Sequence, residues 1–234
     1  MARCAPISAG LEPFVAVPAQ MTLARIKAMA AAHQLAVLGG FAAGPDDGLP
    51  RDTKTFLLLG PREPGFWPHL QAQPEWGNPD PVDRWSRRVI GTMACDLEAK
   101  ALFPFGGPPY HPFYKWALKS GRCWDSPVRL LVHDTAGLFV SFRGALALKE
   151  AVELLPVSTK PCDTCTNKPC LAACPVGALT PAGYDLPKCH AYLDTQEGKD
   201  CMTTGCAVRR TCPLSLAYAR MPEQSAYHMG QFHK

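Results

Sequence analysis

Of the eleven cysteines in the 234-residue chain, eight lie between Cys162 and Cys212. They form two runs, Cys162-x2-Cys165-x4-Cys170-x3-Cys174-Pro175 and Cys189-x11-Cys201-x4-Cys206-x5-Cys212-Pro213. Thiolates are soft, strong metal ligands, and this pattern points to a metal centre. A cubane [4Fe–4S] cluster takes four of them. A Cys-x2-Cys turn brings two sulfurs to neighbouring corners, and a third cysteine a few residues on closes the local loop. In two-cluster ferredoxins the cysteine that precedes proline ligates the other cluster. Such a crossing requires two groups that each end in Cys-Pro, and both are present. Eight thiols make two sets of four with none left over. Ala172, Ala173, Gly177 and Ala178 are small enough to let backbone N–H groups approach the sulfides.

Two other chemistries use the same residue type. Zinc takes Cys-x2-Cys and Cys-x4-Cys pairs in tetrahedral sites. A secreted chain could use the cysteines as a disulfide framework. The Cys-Pro endings and the asymmetric spacing favour iron. The spacings still depart from the Cys-x2-Cys-x2-Cys-x3-Cys-Pro run of bacterial ferredoxins. The first group carries two extra residues, and the second has wider gaps throughout. Cys4, Cys95 and Cys123 are scattered, and the last two read as buried thiols without a chemical role.

The run CDTCTNKPCLAACPVGAL, then KCHAYLD, then a later cysteine group ending in CP, resembles epoxyqueuosine reductases. Those are cobalamin-dependent iron–sulfur enzymes with a two-cluster ferredoxin module after a cobalamin-binding domain. The resemblance implies one cluster on Cys162, Cys165, Cys170 and Cys212. It implies a second on Cys174, Cys189, Cys201 and Cys206. Upstream, HDTAGLFVSFRGALAL resembles the CblC-type cobalamin-processing proteins, which implies a nitroreductase-like fold there and a corrinoid as a cofactor. The Arg-Asp-Tyr-His segment that carries the catalytic acid of the reductases has no counterpart. The nearest stretch, FGGPPYHPFYKW, contains no Asp. Epoxyqueuosine reduction is therefore not carried over.

These cysteines need a framework to hold them. The expected fold class is α+β. Residues 1–156 are expected to form a mixed α/β, nitroreductase-like sheet domain for a cofactor or docking. Residues 157–234 are expected to form a small ferredoxin-like domain with two clusters. Composition suits a globular protein, with 47% apolar and 19% charged residues. The net charge of +4 is too small to argue for a nucleic-acid partner. No apolar run reaches the roughly 18 residues of a membrane helix. Met1–Gln20 lacks a continuous apolar core, so no signal peptide is expected. The protein is accordingly expected to be soluble and cytoplasmic.

Thr22 is placed to cap a helix running to His33. Leu35–Phe41 and Thr55–Gly60 read as short strands covered on both faces. The proline-rich Pro61–Pro81 reads as irregular, and Asp80-Pro81 opens a helix that presents Trp85, Val89, Met93 and Leu97 on one side. Leu102–Phe105 is expected as a strand and His111–Lys119 as a helix ending at Gly121. Val128–His133 and Leu138–Phe142 are expected to form a hairpin, and Ala145–Leu155 a final helix.

Other residues could carry chemistry beside the cysteines. Tyr110, Phe113, Tyr114 and Trp116, with Trp124, are candidates to line a flat cofactor such as a corrin or flavin, although helical spacing also suits a plain core. Arg143 could hold a phosphate or propionate, or form an ordinary ion pair. His111 and His133 could be ligands or satisfied structural histidines. Arg209 and Arg210 sit between two candidate ligands, where positive charge would favour the reduced cluster or, equally, form a docking patch for an acidic electron donor. No Gly-x-Gly-x-x-Gly, phosphate loop or Gly-x-Ser-x-Gly elbow occurs. The expectation is an iron–sulfur redox protein that takes single electrons from a soluble donor such as a flavodoxin or ferredoxin. It would pass them to a cofactor, cobalamin among the candidates, or to a substrate at the first domain. A non-enzymatic electron carrier or cofactor-handling protein is the alternative, and a zinc-bound structural module a third reading.

Overall fold

The computed structural model describes residues 21–234. The reading of Met1–Gln20, and Cys4 with it, lies outside the described residues. The first helix, α1 (Leu23–Ala32), starts where expected, because the Thr22 hydroxyl accepts the Arg25 N–H at 3.2 Å. Strands β1 (Leu35–Ala42) and β2 (Thr55–Pro61) follow as an antiparallel pair. The proline-rich stretch after them is not wholly irregular. It holds a short helix, α2 (Phe66–Gln71), whose Phe66, Trp67 and Leu70 are buried. Helix α3 (Pro81–Asp96) has proline in its first turn and buries Trp85, Val89 and Met93. Strand β3 is Lys100–Leu102, α4 is Phe113–Lys119, β4 is Cys123–Asp125, β5 is Leu131–His133 and β6 is Gly144–Leu148.

The main sheet runs β1-β2-β6-β3 and is antiparallel throughout. Side chains alternate across a strand, and here the alternation feeds two cores. Leu57, Leu59, Leu146 and Leu148 face α1, α2 and α3, where Ile26, Phe66, Trp85 and Met93 complete the packing. Phe56, Leu58, Ala145 and Ala147 face the other way, toward Phe113 and Trp116 of α4 and Phe142. Every residue of β2 and of β6 is buried. The described residues thus form a mixed α+β structure built on small antiparallel sheets.

The helix expected over Ala145–Leu155 is replaced by β6. Ala and Leu favour helix locally, but Leu146 pairs with Leu57 on one side and Ala101 on the other. A strand covered on both faces shows no polar alternation, so periodicity cannot tell it from a buried helix. The expected hairpin is also displaced. β5 pairs with β4 rather than with Leu138–Phe142, which forms no strand. His133 accounts for part of this. Its Nδ1 accepts the N–H groups of Thr135 and Ala136 at 3.0 and 3.1 Å, curling the chain back. That leaves the proton on Nε2, 2.6 Å from the Leu38 carbonyl.

His133 is a satisfied neutral core histidine, and burial pushes its pKa down despite the nearby Asp134. The unfolded chain therefore binds a proton near pH 6.5 that the folded one resists. This part of the stability is present above that pH and is lost as the pH falls through it. Urea denaturation between pH 7 and pH 5 should show stability declining on acidification. The decline should be shallower in His133→Asn, which removes the titrating ring.

Candidate metal centres

After residue 160 the chain forms short elements whose ends carry the cysteines. Cys162 lies in α5 (Pro161–Thr164), and Cys165 caps its C-terminus. Cys170 sits in a 3-10 turn, Pro169–Leu171. Strands β7 (Leu179–Thr180) and β8 (Gly183–Tyr184) make a two-stranded ribbon. Helix α6 (Leu186–Leu193), which holds Cys189, is capped by Asp185, whose carboxylate accepts the Lys188 N–H at 3.0 Å. Cys201 is in α7 (Lys199–Thr204). Cys206 caps α8 (Ala207–Arg210), and Cys212 caps α9 (Pro213–Tyr218). The last helix is α10 (Pro222–Phe232), packed against α7. The link from α6 to α7 is tight enough to demand glycine, since a Cβ on Gly198 would lie 2.1 Å from the Tyr192 carbonyl oxygen.

These elements gather the eight thiols around two cavities. Cys162, Cys165, Cys170 and Cys212 line one of about 480 Å³, which we call the outer cavity. Cys174, Cys189, Cys201 and Cys206 line another of about 280 Å³, the inner cavity. Cys174 and Cys212 have each crossed to the set of the other run. The wall between is apolar and includes Leu138, Ala173 and Val208. All eight thiols are free, none joined in a disulfide. Among the described residues, no three His, Cys, Asp or Glu side chains cluster closely enough to hold a single metal ion.

The sulfurs of the inner cavity meet hydrogen-bond donors. Ala178 N–H donates to Cys174 Sγ at 3.2 Å, and the Tyr184 hydroxyl donates to Cys189 Sγ at 3.3 Å. Burial pushes the Cys174 thiol up, but the N–H groups of Leu179, Ala178, Val176 and Gly177 outweigh it and hold the thiol below its ordinary value. Burial raises the Cys162, Cys170, Cys189 and Cys201 thiols. A bound metal reverses that cost, because it displaces the proton.

The two cavities sit against the first half of the chain through a dense polar seam. Ser215 Oγ accepts the Leu138 N–H at 2.9 Å, and Arg209 donates to the Leu138 carbonyl at 2.5 Å. Arg220 donates to the Phe139 carbonyl at 3.4 Å. The Tyr218 hydroxyl donates to the Pro61 carbonyl. Gly137, in the left-handed region at φ +56°, lets α9 approach, since a Cβ there would lie 2.5 Å from the Ser215 nitrogen.

The other candidates divide. Arg143 lies on the wall of the inner cavity, 3.6 Å from Asp83. Phe113 and Trp116 are core residues, with ring centroids 5.2 Å apart and the indole N–H of Trp116 donating to the Asp47 carbonyl at 2.9 Å. Tyr110 and Tyr114 are exposed. The Tyr114 hydroxyl donates to Asp125, and burial together with that carboxylate pushes it up to about 12. These four rings therefore form no common cradle. Trp124 packs at the edge of the apolar wall between the cavities. Cys123 is buried, whereas Cys95 lies on an exposed position of α3. Sequence reading missed Tyr184, Arg220 and His228. Tyr184 lies between Cys174 and Cys189 and the other two beyond Cys212, and only the fold brings the three to the inner cavity.

No family model matches the chain, and no solved structure does. The methylamine utilization ferredoxin-type protein MauM of Methylorubrum extorquens is 37% identical over 93 residues, which is 37% of this chain and 36% of the relative. The chain thus spans about a third of the length of the relative it matches. The ferredoxin-type likeness and the cysteine-rich segment together suggest an iron–sulfur electron carrier. The resemblance to epoxyqueuosine reductases and CblC-type proteins gains no support from these comparisons.

Ser215→Ala leaves the buried Leu138 N–H without an acceptor. The expected loss is about 1–3 kcal/mol of folding stability by denaturant titration.

Proposed function

We propose that the chain is an electron carrier with two [4Fe–4S] clusters, one on each crossed set of thiols. Cys162, Cys165, Cys170 and Cys212 would hold the first. Cys174, Cys189, Cys201 and Cys206 would hold the second. The observation that carries this reading is the gathering of four free thiols around each cavity, with Cys174 and Cys212 exchanged between the runs. Residues 157–234 are then a ferredoxin-like module seated on the sheet of residues 1–156.

The two Cys-Pro endings and the ferredoxin-type likeness favour cubanes over zinc. A zinc ion holds each sulfur at about 2.3 Å and draws four of them into one tight tetrahedron. A cubane gives each thiolate its own iron and spreads the four over a larger site. When bound, the clusters supply one-electron storage. The chain's own part is to hold the thiolates, exclude water with the apolar wall and donate hydrogen bonds to sulfur from Ala178 and Tyr184. A soluble one-electron donor of the flavodoxin or ferredoxin kind fits this role. A corrinoid does not follow from the aromatic group, because Phe113 and Trp116 are committed to the core.

Protein prepared anaerobically should contain about eight irons and eight sulfides per chain, the count for two cubanes. Stoichiometric zinc in a colourless protein would end the proposal. Cys212→Ser should deplete the cluster shared with Cys162, Cys165 and Cys170, reducing iron toward half while the second EPR signal persists. Loss confined to the other cluster would refute the crossed ligation.

A further inference from the structure

The two cavities differ in charge. The inner one is walled by three arginines from three different elements: Arg143 at the entry to β6, Arg209 in α8 and Arg220 ahead of α10. The outer cavity has the exposed Lys168 on its lining, and the half-buried Lys160 acts on Cys162, so lysines and no arginine face it. Water and salt screen an exposed ammonium, whereas a part-buried guanidinium in a protein wall keeps more of its field.

Two of the three arginines have some countercharge. Arg143 faces Asp83, and Arg220 faces the buried carboxylate of Glu63. Arg209 has only the Leu138 carbonyl, and among the described residues no carboxylate pairs with it. Its neighbour Arg210 is turned outward and pairs with Asp200. A buried guanidinium with no carboxylate is costly unless another negative group lies beside it. Beside Arg209 on the wall of the inner cavity stand Cys206 and the Tyr184 hydroxyl.

A cluster gains one negative charge on reduction, so a fixed positive charge and donors to its sulfurs favour the reduced form. Both devices are concentrated at the inner cavity. We propose that Arg209, backed by Arg143 and Arg220, makes the cluster on Cys174, Cys189, Cys201 and Cys206 the higher-potential of the two. This rests on the two-cluster reading above. The cluster on Cys162, Cys165, Cys170 and Cys212 is then the entry. It takes one electron from a low-potential one-electron donor, is reoxidised by passing that electron across the Val208 wall, and the inner cluster is reduced by one. Arg209 acts through the cluster and is a positioning residue.

The test is an EPR-monitored redox titration of the full-length, cluster-loaded protein, with iron counted on every sample. Wild type should show two separable midpoints. Cys165→Ser should perturb only the lower one, which assigns it to the outer cavity. Arg209→Gln should lower the higher midpoint and leave the other in place, while Arg209→Lys keeps it near wild type. Should Arg209→Gln fail to retain its iron, Arg220→Gln supplies the same readout. The inference is overturned if both midpoints coincide in wild type, if the assignment is reversed, or if an iron-replete variant leaves the higher midpoint unmoved. An iron count of four or fewer in wild type would instead sink the two-cluster reading itself.

Discussion

A backbone segment that enters the interior must place every N–H and C=O somewhere, and Leu138–Arg143 is where that demand shapes this molecule. It runs between a curled turn and the start of β6, and pairs with no strand along most of its length. Its partners come instead from the far end of the chain: the Ser215 hydroxyl and the guanidiniums of Arg209 and Arg220. The same three residues belong to the cysteine-bearing segment. Satisfying the first half of the chain and positioning the thiols are therefore one act. The cavities are fixed against the sheet by hydrogen bonds rather than by a flexible linker.

Legibility in the sequence followed the range of the forces involved. The Thr22 cap, the core stripe of α3 and the two short strands β1 and β2 are local, and were readable from periodicity and capping chemistry. β6 was not, because its identity depends on Leu57 and Ala101, far away in the chain. Leu138–Phe142 looked like a hairpin arm since its apolar pattern fits one. Nothing local announces that its carbonyls will be taken by arginines some 70 to 80 residues later.

The thiol sets show the same division. Spacing alone marks the eight cysteines and the two Cys-Pro endings. The exchange of Cys174 and Cys212 between runs came from a resemblance to known iron–sulfur enzymes, and the two cavities gather the thiols in that way. The aromatic group around Trp116 shows the opposite outcome. Helical spacing suits a cofactor wall and a core equally, and burial against Phe56 and Phe142 uses Phe113 and Trp116 as core. Of the arginine wall, Arg143 and Arg209 were legible as candidates one by one, but Arg220 had no signature and no shared spacing announces that the three meet.

Two short tethers, Cys170 to Cys174 and Cys206 to Cys212, each carry one thiol to either cavity. During synthesis this fixes a schedule. The inner set is complete in the chain once residue 206 has been made, and the outer set only six residues later. Three of the outer four thiols are made first and wait longest for their last partner. A nascent chain therefore holds no complete site until residue 206 is made and then gains both almost together.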